Sequence, residues 1–145
     1  MRQWFLALMF LGAWVGPAAT SDDWRRSPKS VREAVRATVE GQLAAIREDN
    51  FVKAYDFASQ GIRARFAPAV FAAMIRRGYP ALVRHTQADV GSVRDYEYHR
   101  AVVSVTVSDR LDRRKSYRYL MIEEAGALRI DGVVEEEISA AREVI

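Results

Sequence analysis

The chain has 145 residues, 22 Lys plus Arg against 19 Asp plus Glu for a net charge of +3, and no cysteine. Such a length suits one domain with a real core, and the missing thiols exclude disulfide staples and a lipid-modified cysteine anchor. The charge is nearly balanced, and Arg25-Arg26, Arg76-Arg77 and Arg113-Arg114-Lys115 are scattered, so no nucleic-acid partner is expected.

The chain opens as an export signal. Met1-Arg2-Gln3 gives a basic start, Trp4 to Val15 an apolar run, and Gly16 to Ser21 a small-residue exit that could be cut after Ala18, Ala19 or Ser21. A spanning helix needs about 20 apolar residues. This run is interrupted by Gly12, Gly16 and Pro17 and followed by Asp22-Asp23. The expectation is a signal peptide over 1–21 and a periplasmic or secreted mature chain with no stable membrane insertion. A membrane anchor through an uncleaved N-terminus is the alternative.

Ser27-Pro28 reads as an N-cap followed by Pro at the first helical position, and Ser30 with Glu33 offers a second start, a capping box. From there Val31, Val35, Val39, Gln42, Leu43 and Ile46 recur at three- and four-residue steps, with charged residues between them, predicting a long amphipathic helix. Asp49-Asn50 breaks it and caps the next helix, where Phe51, Ala54, Tyr55 and Ala58 share a face. Ser59-Gln60-Gly61 interrupts again, before a short turn through Ile62 and Phe66. Ala67-Pro68 starts a further helix through Phe71, Met74 and Ile75, with Gly78 as its left-handed stop and Pro80 beyond.

After Pro80 the period falls to two. Ala81 to Gln87 reads as an edge strand or a loop. Strands are predicted over Ala88 to Tyr98, broken at Gly91, then Ala101 to Val107, Ser116 to Glu123 and Ala127 to Val134. Short links between consecutive strands predict an antiparallel meander. Glu135 to Ile145 has the pattern of a weak helix. Helices first and a sheet afterwards define an α+β domain, with about four antiparallel strands curled around the long helix. The domain is expected over 28–137, with 138–145 as a tail.

Several of these runs carry a family resemblance. Val39 to Phe51, Ala54 to Ser59, Ile62 to Phe66, Phe71 to Pro80 and Leu128 to Val133 are similar to the DUF4864 family of small exported bacterial proteins, over roughly Val31 to Val134. The resemblance implies an NTF2-like, cystatin-like cone, with helices laid into a bent antiparallel sheet and often an apolar cavity between them. It implies no activity, since the family has none assigned.

The chemistry-bearing residues point to no reaction. His85 and His99 are the only histidines and lack a ligand spacing, so neither metal nor cofactor is expected. Gly91-Ser92 lacks the flanking glycines of a nucleophile elbow. The candidate pocket lining is Tyr55, Phe71, Tyr79, Tyr117 and Tyr119, with Asp56 and Asp131 as the acids to weigh beside them. Strand alternation puts Leu128, Ile130 and Val134 on one face and Arg129, Asp131 and Val133 on the other, so Asp131 is expected to point away from the core. The expected function is a non-catalytic exported domain that binds a small apolar ligand in its cone or associates as a homodimer. The alternative is a pocket enzyme of the isomerase or dehydratase kind, using a buried carboxylate and a tyrosine.

Overall fold

A computed structural model describes residues 27–95 and 98–137. The expected signal peptide and the 138–145 tail lie outside the described residues. Five helices precede four strands: α1 (Lys29–Arg47), α2 (Phe51–Asp56), α3 (Gln60–Arg65), α4 (Pro68–Gly78) and α5 (Pro80–Arg84), then β1 (Gln87–Asp95), β2 (Arg100–Ser108), β3 (Arg114–Glu124) and β4 (Ala127–Glu136). The strands pair in sequence order, all antiparallel, giving the expected α+β meander with helices on one face.

Helix α1 forms because its apolar residues fall on one face. Val35, Val39, Leu43 and Ile46 are at most 2% exposed, and Gln42 and Ala45 are buried beside them. Each large aliphatic chain buried there contributes roughly 1.5–3 kcal/mol before the entropy of ordering it. Neither expected serine cap forms. Pro28 is the N-cap residue without a side-chain bond, Ser27 is buried with its carbonyl accepting from the Arg32 guanidinium, and Glu33 pairs with Lys29. Gly41 lets the Phe57 ring lie across the helix, since a Cβ there would sit 2.7 Å from that ring.

Asp49 takes a positive φ of 60° to end the run, and the Asn50 carboxamide accepts the Lys53 N–H to start α2. Gly78 is not a left-handed stop: it is the last residue of α4, and its φ is not positive. The stretch expected as an edge strand or loop is helix α5 through Arg84. Tyr79 bends the chain, Pro80 stands at a helix start where its missing N–H costs nothing, and Leu82 is buried at 1% exposure.

On the helix-facing side of the sheet, Ala101, Val103 and Val105 lie opposite Met121, Tyr119 and Tyr117, all at most 3% exposed. Ala125 and Gly126 both have positive φ, as a tight two-residue hairpin between β3 and β4 requires. The register of β1 against β2 shifts between Val90 and Val93, around Gly91. A second shift matters more. Leu120 faces Gly132 while Met121 faces Ile130, so Asp131 is the extra residue of a bulge in β4. The bulge reverses the strand's parity. Val133 lies opposite Tyr119 and packs on the core, and Val134 lies opposite Arg118 at 52% exposure, the reverse of what strict alternation predicts. Strand β4 also runs on through Glu136, paired with Ser116, so Glu135 and Glu136 are not helical.

Candidate functional site

The helix layer does not close completely on β4. A cavity of about 250 Å³ remains between α3, α4 and the strand. Helical spacing on α4 brings Phe71, Met74 and Ile75 to one wall, Ile62 and Phe66 come from the α3 turn, and Ile130 and Val133 form the sheet side. Gln42, Arg65 and Asp131 are its polar lining. Arg65 is exposed and marks the solvent side, with its guanidinium 5.8 Å from the centre of the Phe66 ring.

The β4 bulge builds the polar wall. The link between α2 and α3 docks on the strand edge: Ser59 N–H donates to Ile130 O at 2.8 Å, and Ile130 N–H donates to Phe57 O at 2.9 Å. This docking buries Ser59 at 1% exposure. Its hydroxyl accepts the Ile62 N–H at 3.2 Å, starting α3, and donates to Asp131 Oδ1 at 2.7 Å. Strict alternation points Asp131 away from the core; at the bulge it lines both this cavity and the hollow on the outer sheet face. Gln42 is buried and donates to Ala54 O at 3.3 Å.

The five candidate aromatic residues fall in different places. Phe71 and Tyr79 line the cavity, and the Tyr79 hydroxyl donates to Val133 O at 2.9 Å. Tyr55 sits behind the wall: its ring meets Phe71 edge-on at 5.3 Å, and its hydroxyl bonds the Arg63 and Phe66 carbonyls at 3.0 and 2.8 Å. Tyr119 is fully buried, its hydroxyl has no partner among the described residues, and burial drives its pKa well above the ordinary phenol range. It belongs to the filled core. Tyr117 faces a separate hollow at the end of the sheet. Burial, with the Glu135 charge adding to it, pushes the Tyr117 hydroxyl up to about 12.

Pattern reading alone does not place Asp131 and Met74 at a cavity. Gly132 directly after Asp131 is the available signal, because glycine inside a strand often marks a bulge. The Ser59–Asp131 contact spans 72 residues of sequence, and local pattern carries no trace of it. The larger hollow of about 760 Å³ on the opposite sheet face lies between Arg94, Arg100 and Arg118, over Val102 and Leu120. At the smaller cavity seven or more apolar side chains converge from both layers, which makes it the better ligand site.

Among the described residues, no three His, Asp or Glu side chains gather closely enough to hold a metal ion. His99 is exposed beside Glu123 at 3.0 Å. His85 is buried with Nδ1 on Leu82 O and Nε2 unpartnered among the described residues. Its burial lowers its pKa, the Leu82 carbonyl opposes that, and the Arg47 charge adds to the lowering. No helix among the described residues is long and apolar enough to cross a membrane.

A family model described as a domain of unknown function, DUF4864, matches residues 28–142. No curated protein matches the chain. Among solved structures, Aln2 from a Streptomyces species superimposes with a TM-score of 0.54 at 16% identity, covering 77% of this chain and 93% of that one. At that identity the likeness concerns the fold alone.

Proposed function

Because the chain belongs to the DUF4864 family, whose function is unknown, we propose from its geometry that it is a non-catalytic binding domain that takes a small, largely apolar ligand into the cavity beneath β4. The single observation that carries this reading is the convergence of Phe66, Phe71, Met74, Ile75, Ile130 and Val133 around about 250 Å³ of space. An apolar cavity of about 150 Å³ accommodates benzene. The space here suits one substituted ring or a short alkyl chain, with a polar end toward Asp131 and Arg65.

Thermal-shift titration of the domain with phenylalkyl and medium-chain alcohols tests the reading. Saturable stabilisation of the wild type is expected, together with its loss in Met74→Trp, which fills the space while keeping the fold. Absence of any shift in the wild type, or equal shifts in both proteins, would overturn it.

Two further readings each draw on one observation. Asp131 and Tyr79 line the same cavity, which supports proton transfer of the isomerase or dehydratase kind. Both groups are already engaged, by Ser59 and by Val133 O, which favours binding over catalysis. If proton transfer were the role, Asp131→Asn would abolish conversion of a β-hydroxy carbonyl probe while leaving its affinity within a few fold. Self-association through the outer sheet face is supported by Leu120 and Val134, 37% and 52% exposed there. Light scattering that stays monomeric at every concentration would remove it. Export is supported by the leader pattern alone, and N-terminal sequencing of the mature protein should start after Ala18, Ala19 or Ser21.

A further inference from the structure

At the far end of the sheet from the β3–β4 hairpin, a second hollow of about 180 Å³ lies between α5, the β2–β3 turn and the end of β4. Counting about 30 Å³ per water, it holds roughly six waters, enough for one small polyatomic ion. Four cations line it, Arg84, Arg113, Arg114 and Lys115, against two carboxylates, Asp109 and Glu135. Both carboxylates are already occupied, and a third, Asp112, pairs with Arg114 beside the hollow. Asp109 accepts the Leu111 and Arg113 N–H groups at 2.9 and 3.1 Å and the Arg113 Nε at 2.7 Å, and Glu135 is paired with Lys115. The turn is therefore shaped without Arg84, which forms no ion pair with a described residue.

The floor of this hollow is the Tyr117 side chain, 1% exposed, held against Tyr79 with ring centres 6.0 Å apart. Its hydroxyl forms no hydrogen bond with a described residue. A phenol hydroxyl with no protein acceptor, opening on a hollow beside the one lining cation, Arg84, that no described carboxylate pairs, offers its donors to an anion. With its pKa pushed up to about 12, the hydroxyl stays a donor at every physiological pH.

We propose that this hollow is an anion site for a phosphate-type dianion, held by the Arg84 and Arg113 guanidinium groups and by the Tyr117 hydroxyl. It is separate from the cavity beneath β4 and stands or falls independently of the ligand proposed there. Planar, multidentate guanidinium donors suit a tetrahedral oxyanion. Chloride offers no matching geometry.

The test is a two-dimensional NMR titration of the protein with inorganic phosphate at constant ionic strength, chloride serving as the exchanged salt. Saturable shifts confined to amides of residues 82–86, 108–117 and 134–136 are expected. Arg84→Ala should weaken binding roughly tenfold or more, as loss of a charge-assisted bond does. Tyr117→Phe, which keeps the ring, should weaken it severalfold. Arg100→Ala removes an equal charge at the opposite end of β2 and should leave affinity unchanged. Glycerol phosphate should compete with inorganic phosphate if the natural ligand is a phosphomonoester, and its failure to compete assigns the site to the free ion. Shifts spread over all cationic surfaces, or equal weakening by Arg84→Ala and Arg100→Ala, would overturn the site.

Discussion

The two halves of the helix–sheet interface are packed to different standards. On the α1 face and along the middle strands β2 and β3, Val35, Val39, Val103, Val105 and Tyr119 are all completely buried. Where α3 and α4 approach β4, Ile62, Phe66, Met74, Tyr79 and Val133 are only partly buried, and about 250 Å³ stays open. Native interiors are close-packed and their voids are seldom larger than a water molecule, so the second region departs from the rule that the first obeys. The difference teaches where stability is concentrated and where the molecule has room to receive something.

Substitutions can break or sharpen that contrast. The largest effect is expected from Ile46→Asp, which puts an unpaired carboxylate into the packed half. A loss of more than about 4 kcal/mol, enough to unfold the domain, should appear in urea denaturation, whereas Arg47→Asp on the exposed face should cost less than about 1 kcal/mol. Next come two truncations. Leu43→Ala should cost about 2–5 kcal/mol by opening a void in a filled core, and Met74→Ala, facing space that is already empty, should cost less than about half as much. Equal costs for the two would erase the distinction between the halves.

A pH series gives an effect of intermediate size. Burial keeps His85 neutral, with its folded pKa below the ordinary value of about 6.5. The unfolded chain therefore binds the proton more readily. The contribution of His85 is complete above about pH 6.5 and falls away as the pH drops from there toward the lower folded pKa, with a slope of at most about 1.4 kcal/mol per pH unit. Denaturation midpoints between pH 7.5 and 5.5 should fall for the wild type and fall less for His85→Gln. The smallest effect carries the opposite sign. Tyr119→Phe removes a buried hydroxyl that has no partner among the described residues, so it should be neutral or stabilise by about 1 kcal/mol. A clear loss would show that the hydroxyl is satisfied by a group such as a buried water.

The packed half is legible in the sequence and the open half is not, for a physical reason. Val35, Val39, Leu43 and Ile46 repeat at helical spacing, and Val103 and Val105 at strand spacing, so their burial follows from period alone. Strand order and the tight turn at Ala125 and Gly126 follow in the same way. The cavity depends on a break in period. One extra residue at Asp131 exchanges the faces of Val133 and Val134 and brings a carboxylate to Ser59. Alternation carried through Gly132 without a bulge puts Asp131 on the outer face alone, whereas it lines hollows on both faces. Phe71 and Tyr79 are recognisable because they belong to a regular helix and its end. Tyr55, Tyr117 and Tyr119 share their residue type and not their surroundings, and aromatic content alone cannot separate a wall from a core or from the floor of a second hollow.

Amide hydrogen exchange with and without a saturating phenylalkyl alcohol tests the division of labour most directly. Added ligand should increase protection at residues 59–79 and 128–133, with α1, β2 and β3 unchanged because they are already closed. Unchanged exchange around the cavity, or protection gained first along α1 and β2, would contradict the account.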